Sequence, residues 1–164
     1  MVSRLLIALK KNDPIADEEH IARYIPWNKL RKDMDDNVIG ILGEAFKLRP
    51  KENGLSSTRL EHFSGTFTQQ AHSAVKEVRK YYNVKQKSHF AVGQAGLIKD
   101  FFKEQKQIKV HIISFPTQAR LHDGTPYKNN SHVLVNKLPN DDMELLDLLA
   151  SDVWNNLVPN SSVP

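Results

Sequence analysis

The stretch that most narrows the fold is residues 89–115. His89-Phe90-Ala91-Val92 is a short apolar strand, and residues 94–105 carry Leu97, Ile98, Phe101 and Phe102 at helical spacing. Residues 108–115 are apolar strand again. A strand, a helix and a strand joined by tight connections make a right-handed βαβ crossover, so the two strands should run parallel. Such a chain needs a sheet with at least one helix packed over it.

The remaining segments supply more of both. Thr68 is read as the cap of a helix reaching Tyr82, with Ala71, Ala74, Val75, Val78 and Tyr82 on its buried face. A last helix is expected over 141–157, where Asp141 and Glu144 have capping-box spacing. Leu145, Leu146, Leu149, Val153, Trp154 and Leu157 form its packing face. Residues 5–9 read as a first strand, 46–49 as an alternating strand, and 55–63 as a strand entering one helical turn. Residues 28–40 read as a polar surface loop, while 21–25, stopped by Pro26, fits either strand or helix. The expectation is one α+β domain over 1–158, its mixed sheet holding the βαβ unit under a C-terminal packing helix. A flexible tail is expected over 159–164.

A chain of 164 residues suits one domain, long enough to bury roughly 70% of its unfolded surface. Its lack of cysteine excludes disulfides, thiolate metal sites and a cysteine nucleophile, and fits a reducing compartment. No segment approaches the ~18 apolar residues of a membrane span. The apolar run at 5–9 is too short for a secretory core and has no cleavage site after it. A cytoplasmic protein without a membrane segment is therefore expected. The net charge of +4 and pI near 9.2 permit phosphate-rich partners. The lysines are dispersed, and solvated faces account for most of them.

Groups able to do chemistry concentrate in residues 108–135, which hold three of the seven histidines, with Arg120, Asp123 and Ser131 between them. His111 lies mid-strand on the face opposite Ile108, Val110 and Ile112; its plainer role is a half-buried imidazole bonded to a carbonyl. His132 follows Ser131 at a loop-to-strand junction, where a scaffold holds a side chain rigidly. If their strands are neighbours, His111 and His132 form an acid–base pair near neutral pH, or a metal site with Asp123. His122 and Asp123 precede Gly124, which favours turn chemistry there.

The complete templates are missing. There is no His-Glu-x-x-His helix, no P-loop and no Gly-x-Ser-x-Gly elbow. Val92-Gly93-Gln94-Ala95-Gly96 joins strand to helix, where a phosphate could meet the helix N-terminus, but close packing explains its glycines equally well. Arg23, Arg49, a serine-bearing strand, Arg59 and Glu61 follow loosely the order of groups that clasp NAD in ADP-ribosyl-transfer folds. A surface pairing of Arg49 with Glu61 is the plainer account.

Ile21-Ala22-Arg23-Tyr24, Ala45-Phe46-Lys47-Leu48-Arg49-Pro50, Leu55-Ser56 with Leu60-Glu61, and Ser131-His132 together resemble the pieces of a set of small bacterial proteins with no assigned activity. The resemblance spans most of residues 17–135. It implies a bacterial-type single domain in which the Ser-His pair matters, although Asn129-Asn130 stands where such proteins have Asp-Pro.

Two functional expectations follow. The first is a small cytosolic accessory protein contacting a protein partner or nucleic acid through its basic, histidine-bearing loop. The second is a hydrolase or transferase acting on a nucleotide or phosphoester. His111 and His132 would then be acid and base, Asp123 would orient them, and Arg23, Arg49 and Ser131 would hold the anion. Neither expectation calls for a cofactor or a metal.

Overall fold

The computed structural model describes residues 9–164, so the strand expected over 5–9 lies almost wholly outside the described residues. Six strands form the main sheet: β1 (His20–Ile25), β4 (Leu55–Arg59), β5 (His89–Gln94), β6 (His111–Ser114), β9 (His132–Asn136) and β10 (Asn156–Pro159). Their spatial order is β10-β5-β1-β4-β9-β6, and every neighbouring pair is antiparallel. Two hairpins complete the strands: β2 (Leu30–Lys32) with β3 (Val38–Ile41), and β7 (Thr117–Arg120) with β8 (Pro126–Asn129). Three helices are present: α1 (Phe67–Arg79), α2 (Ala95–Lys106) and α3 (Met143–Asp152). The α+β architecture is as the sequence leads one to expect.

The crossover through α2 has a wider reach than its tight connections suggest. β5 and β6 do run parallel, but β1, β4 and β9 lie between them. Each intervening strand arrives from a distant part of the chain, so no parallel ladder forms.

Side-chain alternation divides the sheet into two faces. Ile21, Ile25, Ala91, Ile112, Val133 and Val135 meet α2 and α3 in the main core, where Trp154 stacks on Phe46 and donates to the Ala91 carbonyl. On the other face Ala22, Phe90 and Val92 pack under Ala71, Ala74 and Val75 of α1. The cap of α1 is Thr66 rather than Thr68, in a capping box with Gln69. The helix stops at Arg79, so Tyr82 is 46% exposed instead of buried.

Other boundaries move for local reasons. Asp142, not Asp141, caps α3, which ends at Asp152; Leu157 belongs to β10. Residues 43–46 form a 3-10 turn that buries Phe46, so the strand expected at 46–49 is absent. The polar segment 28–40 contains the β2–β3 hairpin. The expected tail is packed: the Arg79 guanidinium donates to Asn160 and to the Val163 and Pro164 carbonyls, and Val163 is buried.

The strand that joins the two halves of the sheet is held tightly at one end only. β1 and β4 share two residue pairs, Ile21↔Arg59 and Ala22↔Thr58. Beside them the buried Arg59 guanidinium donates twice to Glu19 Oε1, at 3.0 and 2.5 Å, while Glu19 Oε2 accepts the Ala16 N–H. Removing one member of a buried ion pair leaves an uncompensated charge, at a cost of about 3–5 kcal/mol. Glu19→Ala should lose stability in that range in chemical denaturation. A Glu19→Leu/Arg59→Met double variant should lose clearly less, because no orphan charge remains.

Candidate functional site

Beyond Ala22 the two central strands part. β1 continues against β5 as far as Ile25↔His89, and β4 continues against β9 as far as Leu55↔Val135, with no ladder between them. A cavity of about 640 Å³ occupies this notch. Ala22, Arg23 and Tyr24 line one side, Ser56, Ser57 and Thr58 the other, with His132 beyond them. Tyr81, Tyr82 and Val78 at the end of α1, Thr117 to Ala119 of β7, and the loop carrying Lys47, Arg49 and Glu52 complete its walls.

Arg23 spans the notch. Its Nε donates to the Ala45 carbonyl at 2.8 Å and its Nη1 to the Ser56 carbonyl at 2.9 Å, an oxygen of the β4 edge that β1 leaves unpaired. The guanidinium has no carboxylate in contact among the described residues. Burial pulls its pKa down to about 10, with Glu52 opposing the shift and the Arg49 charge adding to it. Arg49 has its own counter-ion, Glu52, at 3.9 Å, and Lys29 has Glu44 at 2.7 Å. Among the described residues Arg23 and Lys47 form no ion-pair contact, although Glu52 acts on Arg23 and Glu44 on Lys47 at longer range.

His132 is held in one tautomer. Its Nδ1 lies 2.7 Å from the Phe115 carbonyl, which can only accept, so the proton sits on Nδ1 and the lone pair on Nε2. Burial pushes its pKa below the usual imidazole value, against the effect of that hydrogen bond. Thr58 separates it from Ala22 in one cross-strand row, because Ala22 pairs with Thr58 and Thr58 with His132. The Ser57 hydroxyl is buried without a hydrogen-bond partner. A polar atom left so among cavity-lining residues is a place for a water or a ligand group.

The structure brings only part of the expected site together. His132, Arg23 and Arg49 line the cavity. His111 shares a sheet face with His132, since Ile113 pairs with Leu134 and alternation carries both histidines to that side. It pairs with Asn136, however, four residues along β9 from His132, or ~13 Å at strand rise. The acid–base pair is therefore corrected to a single histidine. Asp123 also lies elsewhere: its carboxylate accepts the Thr125 N–H in the β7–β8 turn, and bonds from Thr125 hold it below the usual carboxylate range. Ser131 is buried, with its N–H and hydroxyl both donating to Asn129 Oδ1 in a tight turn. It shapes the entry to β9 and does not reach the cavity.

Arg59 and Glu61, ordered in the chain like ADP-ribosyl-transfer groups, serve the frame instead. Arg59 is committed to Glu19. Glu61 accepts the His20 N–H, at 2.5 and 3.0 Å, and faces His20 Nδ1, with burial raising its pKa. Arg49 pairs with Glu52 and not with Glu61. The turn at Gly93 and Gly96 is closed to phosphate. A Cβ at Gly93 would fall 2.7 Å from Trp154 Cδ1, and the Ala95 and Gly96 N–H groups are taken by the Glu19 and Asp17 carbonyls. Among the described residues no group of three His, Asp or Glu side chains is placed to hold a metal ion, and no helix is long and apolar enough to cross a membrane.

The histidine-bearing loop is a docked hairpin. The Tyr127 hydroxyl donates to Glu77, Asn129 donates to the Tyr81 hydroxyl at 2.9 Å, and His122 Nε2 meets the Arg79 carbonyl at 2.6 Å. Burial pushes Tyr81 up to about 12, so its ring offers a neutral phenol to the cavity wall. Sequence reasoning missed Tyr24, Ser57, Lys47, Tyr81 and Tyr82. The Tyr81-Tyr82 pair after a helix was the one available signal. Comparison with protein-family models, curated proteins and solved structures finds no match to this chain.

The fixed tautomer makes a measurable statement. A depressed imidazole pKa means that the unfolded chain binds the proton more readily than the native one. The contribution of His132 to stability is therefore complete above ~6.5, the reference value, and is lost as pH falls through the lower native value. Imidazole NMR should place His132 below 6.5 and show no change in it on His111→Ala. His132→Gln should flatten the acid side of the stability profile.

Proposed function

We propose that this protein binds a small phosphate-bearing ligand of the nucleotide class in the notch between β1 and β4. The observation that carries this reading is Arg23, fixed by two carbonyls, lacking a carboxylate and open to a cavity. A guanidinium so held is a preorganised receptor for phosphate or carboxylate, because its planar fork matches two oxygens at once. Lys47 and Arg49 add positive charge on the same rim. Tyr24 and Tyr82 bring aromatic surface, their rings in edge contact at 5.1 Å, and Tyr81 stands beside them. A cavity of about 640 Å³ is of the size that drug-sized ligands fill.

His132 favours a reactive version of the same reading. A neutral imidazole with its lone pair on Nε2 can take a proton from a water or hydroxyl as it attacks, while the arginines stabilise the anion. Binding of a partner through the histidine loop has less support, since that hairpin is occupied by α1.

Calorimetric titration with nucleoside monophosphates and diphosphates tests the proposal. Saturable binding is expected, weakened tenfold or more, or about 1.4 kcal/mol, in Lys47→Ala/Arg49→Ala. His132→Gln should bind within about twofold of wild type, because the neutral ring supplies no charge to the anion. No binding by any nucleotide, or binding indifferent to the rim charges, would refute it.

A further inference from the structure

Beyond Pro26, at the mouth of the notch, lies a second group of cations with no counter-ion. Trp27 is half-buried, and two ammonium groups converge on its ring: Lys32 Nζ at 4.4 Å from the centroid and Lys87 Nζ at 5.2 Å. Lys32 also donates to the Trp27 carbonyl at 2.8 Å. Neither lysine contacts a carboxylate among the described residues, whereas Lys29, two residues on, is neutralised by Glu44. The lysines come from separate parts of the chain, the β2–β3 hairpin and the segment before β5, so sequence proximity does not explain their meeting. Like charges brought together at one aromatic ring repel, and an anion beside them relieves that repulsion.

This group adjoins the notch, whose lining includes Pro26 and Lys29 on either side of Trp27 in the chain. Arg23 and Trp27 are four residues apart, a span of at most ~13 Å for extended chain. That leaves room for a second nucleotide beyond one held at Arg23. Aromatic rings interleaved with cations at such intervals are what a single strand needs: a base stacks on each ring and a phosphate meets each charge.

We infer that the ligand of the notch is the end of a single-stranded nucleic acid, with its terminal nucleotide at Arg23 and the following phosphate and base at Lys32, Lys87 and Trp27. The inference rests on the notch being a nucleotide site and names the molecule that nucleotide belongs to. A free nucleotide shares the same chemistry at Arg23 but leaves the Trp27 group unused.

Trp27 fluorescence separates the two sources. Trp154 is fully buried and bonded to Ala91, so quenching by ligand reports Trp27, with Trp27→Phe as the blank. The probes are a mononucleotide and the corresponding trinucleotide and hexanucleotide. The trinucleotide should bind at least tenfold tighter than the mononucleotide and quench Trp27. Lys32→Gln/Lys87→Gln should erase that gain, reduce the salt dependence by about 0.7 log units per decade, the value for one phosphate contact on a single strand, and leave mononucleotide affinity unchanged. Single variants at each lysine keep the test valid should the double variant lose stability. A trinucleotide that binds no tighter than the mononucleotide, or whose gain survives the loss of both lysines, overturns the inference while the nucleotide site stands. Absence of mononucleotide binding to the wild type overturns both.

Discussion

Two residue pairs and one buried ion pair hold the halves of this sheet together. A six-stranded sheet is ordinarily as strong in the middle as at its edges, because ladders run the length of neighbouring strands. Here the central ladder is the shortest in the sheet, Ile21↔Arg59 and Ala22↔Thr58. The Glu19–Arg59 contact sits beside it like a rivet, and Glu61 ties the start of β1 from the other side through the His20 N–H. Both carboxylates are aimed at fixed donors, and at Glu61 those bonds return only part of the cost of taking it out of water. With that end closed, the strands are free to diverge at the other without the halves separating.

The divergence creates backbone edges in the interior of a sheet. Exposed edges invite pairing with another chain, but these face each other across the notch. Arg23 occupies that gap and satisfies Ser56 and Ala45, carbonyls that would otherwise lack a donor. α1 covers one side of the opening and ends early, which frees Tyr81 and Tyr82 to turn along the wall. The β7–β8 hairpin leans on α1 through Tyr127, Asn129 and His122 and supplies the remaining wall. Each wall thus has its own structural anchor.

Much of the fold was legible because its signals are local. The helical faces of α1 and α2, the strand at 89–92, the strand and turn at 55–63 and the α+β class all follow from periodicity within one segment. What failed depended on partners far along the chain. Phe46 looks like an alternating strand residue, yet it is drawn into a 3-10 turn by Trp154, more than a hundred residues away in the chain. The tail looks too polar to pack, yet Arg79 gathers its carbonyls. For the site, strand patterning put His111 on the face opposite Ile112 and said nothing of the register that would relate it to His132. That register, set when β9 joined β4 and β6, separated them. Arg23 was legible as a candidate by type and position; that no carboxylate among the described residues touches it was not, because Glu52 and Glu44 contact other cations.

The charge state of the notch bears on what kind of site it is. A histidine pair working as acid and base would change its charge near neutral pH, and its occupancy would follow. Arg23, even with its pKa drawn down to about 10, stays protonated through the neutral range. Burial favours the neutral form of His132. The notch therefore sets a protonated guanidinium beside an imidazole lone pair. On the proposed reading the ligand brings its own ionisation, since a phosphate monoester has its second near ~6. A cationic receptor binds the dianion best, so the pH dependence of binding near neutrality would follow the ligand.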